Sequence, residues 1–158
     1  MYKTFKALSL ILLIACSVFI ASCGKKETPK KITYNNCRIM SIKVLEVPAN
    51  DPSGGGWDIS NGPDVFVEVA VGGSTILNTT SNRFDNNTSY PIKWNLANPI
   101  QINNLNIQYD FYVYDYDSPD PDDLMGAMGY IFSNSSDYPA NLVLTYQGTK
   151  LELELQWF

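Results

Sequence analysis

Residues Asn106 to Gly126 read Asn-Ile-Gln-Tyr-Asp-Phe-Tyr-Val-Tyr-Asp-Tyr-Asp-Ser-Pro-Asp-Pro-Asp-Asp-Leu-Met-Gly. The first half alternates, with Ile107, Tyr109, Phe111 and Val113 on one side of an extended chain, and this period of two predicts a half-buried strand over Asn106 to Tyr114. The second half has no period. Asp115, Asp117, Asp120, Asp122 and Asp123 place five carboxylates in nine residues, interrupted by Pro119 and Pro121. Two like charges about 4 Å apart repel by about 4 kcal/mol at an effective dielectric of about 20, a penalty that a cation removes.

Similar strand signals flank this stretch on both sides. Arg38 to Val47 is the first, followed by Val65 to Val71, with Val65, Val67, Val69 and Val71 in phase, and by Thr75 to Thr79 after a Gly72-Gly73 turn. Ile92 to Ile102 precedes the opening segment; Gly126 to Phe132, Asn141 to Tyr146 and Lys150 to Trp157 follow it. In the last, Leu151, Leu153, Leu155 and Trp157 alternate with Lys150, Glu152, Glu154 and Gln156, which means one face buried and one wet. Eight short strands separated by Gly, Pro, Asn and Asp predict an all-β, antiparallel sandwich. Two connections are long, Pro48 to Pro63 and Tyr116 to Leu124, and long loops in a small domain commonly carry function.

The chain has 158 residues, enough for one domain with a proper core. It has no histidine, which removes the commonest general base and the commonest zinc ligand. The formal charge is −5, which excludes nucleic-acid binding by phosphate neutralisation. An enzyme is not expected, since no nucleophile has a base within its motif.

The N-terminus has the layout of a secretory signal: Lys3 and Lys6, an apolar run from Ala7 to Ile20, then Ala21-Ser22-Cys23-Gly24. These residues resemble a bacterial lipobox. The resemblance implies a signal over residues 1–22, a lipidated Cys23 as the mature N-terminus, and envelope localisation, with Gly24 favouring the outer membrane. Residues 23–36 then read as lipidated cysteine and flexible tether, and 37–158 as the domain. Cys16 falls in the signal and Cys23 carries lipid, which leaves Cys37 alone and no intramolecular disulfide. Cys37 is expected to be a core-facing or edge residue.

Calcium suits the carboxylate cluster because it is hard, takes about 6–8 oxygens and tolerates irregular geometry. An EF-hand does not fit, because counting from Asp115 puts Pro119, Asp120 and Gly126 where that loop needs a ligand, Gly and Glu. Asp115-x-Asp117, five residues, Asp123, two residues and Gly126 is instead similar to the third calcium loop of C2 domains. Asp58, then Asp64-Val65-Phe66-Val67 six residues later, resembles their first loop, and Tyr90-Pro91-Ile92-Lys93-Trp94-Asn95 is similar to a further segment of the family.

The resemblance covers about residues 38 to 158 and implies an eight-stranded C2-like β-sandwich in the permuted, type II strand order. It also implies side-chain calcium ligands Asp58, Asp64, Asp115, Asp117 and Asp123, with the backbone carbonyls of Ile59 and Tyr116 as supplements. Two calcium ions are then expected, with Asp120 placed to help a further one. Turn capping explains Asp51, Asp85 and Asp122 well, but explains the paired spacing poorly. The loop tip Ser118-Pro119-Asp120-Pro121 offers nothing apolar to insert, so phospholipid docking by the loops is not favoured. The sequence thus points to a non-enzymatic, calcium-binding interaction module held at the membrane by its lipid, with an envelope protein or an acidic glycan as partner. Two alternatives stand beside it: a structural lipoprotein with a vestigial calcium site, and a glycan-binding module using Tyr90, Trp94 and Tyr138.

Overall fold

The computed structural model describes residues 33–57, 62–135 and 137–158. The proposed signal peptide, Cys23 and the tether as far as residue 32 lie outside the described residues, as do Asp58 and Ile59.

Eight strands run in chain order: β1 Cys37–Glu46, β2 Val65–Val71, β3 Ser74–Asn78, β4 Ile92–Ile102, β5 Gln108–Asp115, β6 Asp123–Ile131, β7 Asn141–Tyr146 and β8 Thr149–Trp157. They form two four-stranded sheets, ordered β4-β1-β8-β7 and β3-β2-β5-β6, and every pairing is antiparallel. The expected all-β sandwich is thus the fold observed. Residues Tyr34–Phe158 make up one self-contained unit.

The inner faces meet in a core of Ile39, Ile42 and Val44 from β1, Val65, Val67 and Val69 from β2, Phe111 and Val113 from β5, and Leu151, Leu153 and Leu155 from β8. The alternation of β8 and β2 therefore places their side chains as the sequence indicated. Strand β1 is less simple. Its buried apolar positions run 37, 39, then 42 and 44, with Ser41 buried between them, because a bulge between Ile39 and Ser41 shifts the register against both neighbours. One extra residue flips the inward-facing set. Cys37 is buried, and desolvation pushes its thiol up to about 12, so it is a core residue with no reactive character.

The hairpins close on residues with positive φ. Gly72 (56°) and Gly73 (77°) join β2 to β3, and Gln147 (45°) with Gly148 (93°) joins β7 to β8. Such two-residue turns match the strand twist, and glycine occupies that region without a Cβ clash.

Several strand limits differ from the sequence reading. Strand β5 begins at Gln108, and Ile107 is 40% exposed, outside the alternating face assigned to it. Strand β6 begins at Asp123, three residues before Gly126, because pairing with β5 continues to Asp115↔Asp123.

Candidate metal centre

Strands β2, β5 and β6 end together, and this places the acidic residues. Val65 pairs with Asp115, and Asp115 with Asp123, so the start of β2, the end of β5 and the start of β6 share one edge of the sheet. Asp64 stands one residue before β2. Asp115 is fully buried, and its Oδ1 accepts the backbone N–H of Asp64 at 2.6 Å. The carbonyl of Asp64 in turn accepts the N–H of Tyr116 at 2.9 Å. These two bonds clamp the first long loop to the second.

A third segment closes the same end. The backbone of Asn86 donates to Asp64 Oδ1 at 2.7 Å, and Asn87 N–H donates to Pro63 O at 2.8 Å. Gly62 makes this approach possible, since a Cβ there would stand 2.3 Å from the Asn87 carbonyl oxygen. Within the acidic loop, Asp117 is half-buried and its N–H bonds Asp122 Oδ1 at 3.2 Å, whereas Asp120, Asp122 and Asp123 are exposed. Asp122 therefore closes a loop through its carboxylate. Asp51 does the same in the first loop, where hydrogen bonds from Ser53 and Gly55 hold its carboxyl below the usual range.

Of the sequence-assigned ligands, Asp64, Asp115, Asp117 and Asp123 all fall at this end, with Asp120 and Tyr116 beside them. Among the described residues, however, no three acidic, cysteine or histidine side chains are gathered closely enough to hold an ion. The donors are all hard oxygens and thus fit calcium in chemistry. Their present arrangement is a hydrogen-bonded one.

Arg83 takes up much of that arrangement, and the sequence reading missed it. Its Nε lies 3.7 Å from Asp64 Oδ2 and 2.6 Å from Asp85 Oδ1, and its guanidinium carbon lies 4.2 Å from the centre of the Tyr116 ring. Asp85 is thus an ion-pair partner. The one sequence signal for Arg83 was its isolation: it is the only basic residue between Lys43 and Lys93.

Charge is unevenly spread. Residues 33–158 contain five basic and fifteen acidic side chains, a net of −10. Arg38, Lys43, Lys93 and Lys150 all lie on strands of the β4-β1-β8-β7 sheet. There Lys43, Lys93 and Lys150 pair with Glu152, Glu154 and Glu46 across the strands. The strands of the other sheet contain no lysine or arginine. Negative potential therefore concentrates on that sheet and on the loop end. Two phenols register it: burial first, then the charge of Glu68, neighbouring Tyr112 and the charge of Asp122 push Tyr114 upward. Burial also raises Tyr90, where the neighbouring Asn87 side chain opposes the effect and the Asp115 charge adds to it.

The proposed aromatic glycan surface is not present as such. Trp94 is 7% exposed, packs edge-on against Phe84 at 5.0 Å and donates its indole N–H to Asn82 O. Tyr138 packs against Tyr34 and Trp157, and Tyr90 is half-buried. Trp57 is likewise half-buried, with its indole N–H bonded to Pro48 O.

No protein-family model matches the chain, and no curated protein matches it. Solved structures do. A structure described as that of a C2 domain superposes with a TM-score of 0.53 at 18% identity, covering 77% of this chain and 96% of that one. A calcium-bound pair of C2 domains from extended synaptotagmin 2 gives 0.54 at 19% identity, over 80% of this chain and 46% of that chain. Human GIVD cytosolic phospholipase A2 gives 0.54 at 18% identity, over 80% of this chain but 17% of that one, so most of that enzyme lies outside the likeness. The chain therefore spans nearly all of one neighbour and less than half of the other two. At these identities the likeness concerns architecture, and the described residues have the fold of a C2 domain.

Proposed function

We propose that this chain is a calcium-binding, non-enzymatic interaction module of the bacterial envelope, anchored through lipid on Cys23 and facing the periplasm or the cell surface from the outer membrane. The observation that carries the calcium reading is the convergence of Asp64, Asp115, Asp117 and Asp123 on one end of a C2 fold whose loop end has a single basic residue. Asp58, on the same loop as Asp64, completes the ligand set, with the carbonyls of Ile59 and Tyr116 and with Asp120 as supplements. The calcium-bound state of a structural neighbour supports the same reading. Two ions and the type II strand order belong to this proposal. In support of the latter, β1 runs directly into the first long loop, and β8 lies between β1 and β7.

Bound calcium would neutralise the crowded carboxylates and present residual positive charge to a ligand. The residues of the chain do the rest. Asp115 fixes the Asp64 backbone, and Asn86 and Gly62 hold the middle loop against the first. The exposed acids and the tip with no apolar side chain favour an envelope protein or an acidic glycan as partner over a phospholipid surface.

One observation favours a second reading, a structural lipoprotein with a vestigial site: Asp64 is already engaged by Asn86 and Arg83. Thermal melting of the detergent-solubilised chain separates the two. The calcium reading expects a rise in melting temperature with calcium, because binding to the native state alone stabilises it, and loss of that rise when Asp115→Asn and Asp117→Asn are combined. The vestigial reading expects no rise in either protein. Phase partitioning in detergent checks the anchor: Cys23→Ser moves the protein to the aqueous phase.

A further inference from the structure

Arg83 is the only basic residue of the domain that lies outside the β4-β1-β8-β7 sheet, and it sits at the most acidic end of the molecule. Its guanidinium is held by Asp64 Oδ2 at 3.7 Å and Asp85 Oδ1 at 2.6 Å, by the Tyr116 ring at 4.2 Å, and by Thr80 O, 3.4 Å from Nη1. Asp64 is a proposed metal ligand, and Tyr116 lies between two others. Asp85 is the nearer anion and belongs to neither calcium loop of the resemblance.

We propose that Arg83, held on Asp85 with Asp64 as its longer contact, is a built-in counter-cation of the loop end when no metal is bound, and that a divalent cation at Asp64 must displace it from that carboxylate. The inference rests on the calcium reading of the site. Two physical features support it. The Arg83 Nε to Asp64 Oδ2 contact is 3.7 Å, beyond hydrogen-bond length, and so is weak enough for a metal to break. The guanidinium also has a second anion already in contact, so displacement requires only a shift between two carboxylates. Exchanging the guanidinium for a monovalent ion gains no charge, whereas exchanging it for a divalent ion gains one. Arg83 therefore lowers affinity for all cations while discriminating against monovalent ones. It tunes the site toward the millimolar calcium of an extracellular setting.

The test is calcium titration of the detergent-solubilised chain by calorimetry, with terbium luminescence as a second readout, for wild type, Arg83→Gln and Arg83→Lys. Removing the charge should tighten calcium binding by about tenfold, and Arg83→Lys, which keeps the charge, should stay within about threefold of wild type. Should Arg83→Gln fail to fold, Tyr116→Leu takes its place: loss of the ring contact frees the guanidinium and tightens binding severalfold. Equal or weaker binding by Arg83→Gln, while wild type binds, overturns the role of Arg83 and leaves the calcium reading standing. So does equal tightening by Arg83→Lys. If neither wild type nor Arg83→Gln binds calcium, the calcium reading fails and takes this inference with it.

Discussion

Replacing Asp115 in two ways separates its structural role from its proposed ligand role. The carboxylate is fully buried, and its Oδ1 accepts the Asp64 N–H at 2.6 Å. Asp115→Asn removes the charge and keeps a carbonyl oxygen in the same place; Asp115→Ala removes both. The difference between the variants is then the acceptor itself, since loss of charge repulsion is common to them. Leaving the half-buried Asp64 N–H unpaired costs up to about 1–3 kcal/mol. For a unit of this size, about 1 kcal/mol corresponds to roughly 3–5 °C in melting temperature. Asp115→Ala should therefore melt about 3–15 °C below Asp115→Asn in chelator, followed by near-ultraviolet circular dichroism. Asp115→Asn itself should melt close to wild type in chelator and yet lose the stabilisation by calcium. The argument fails if the two variants melt within about 1 °C of each other, because the bond that clamps the loops would then contribute nothing.

Three further perturbations follow from the structure. Cys37 should resist maleimide labelling in the native state and react readily once unfolded, because burial pushes its thiol up to about 12; fast native labelling at pH 7 contradicts its placement. Glu154 accepts hydrogen bonds from Ser41 and Lys93, which lower its pKa. A group depressed on folding stabilises above its unfolded pKa, and that contribution is lost as pH falls through the folded value. The melting-temperature advantage of wild type over Glu154→Gln should accordingly be present at pH 7 and vanish below the ordinary carboxylate range. Gly62→Ala places a Cβ against the Asn87 carbonyl, so the first and middle loops must separate. It should cost about 1–3 kcal/mol by overpacking, seen as a lower melting temperature, and should weaken any calcium response; an unchanged melt refutes the close approach.

The strands were legible because their side chains repeat with period two over a buried and a wet face. Strand β8 shows this most fully, with Leu151, Leu153 and Leu155 inward. The same rule went astray where a pattern ran past its structural support, as at Ile107, whose alternation with Tyr109 continues although β5 has not yet begun. It also contained a signal left unused. Trp94 is in phase with buried Ile92 on β4, so its burial could have been read from the strand. The bulge in β1 was not legible, since nothing in Met40-Ser41 announces an extra residue.

The candidate site divides in the same way. The acidic residues were found because their spacing along two loops is linear information. Asp123 became part of a strand because pairing with Asp115 extends β6 beyond the turn chemistry of Pro121. Arg83 lies in a segment with no period, far along the chain from Asp64. Only the convergence of three loops in space brings its charge to Asp64 and its guanidinium to Tyr116.

Calorimetric titration of the detergent-solubilised chain with calcium, after chelation and dialysis, tests the central claim most directly. The account predicts saturable binding at calcium concentrations up to about 10⁻³ M, the range of extracellular modules, together with a rise in melting temperature. Absence of both heat and stabilisation throughout that range would contradict it, leaving a C2 fold whose loop carboxylates are held by the protein alone.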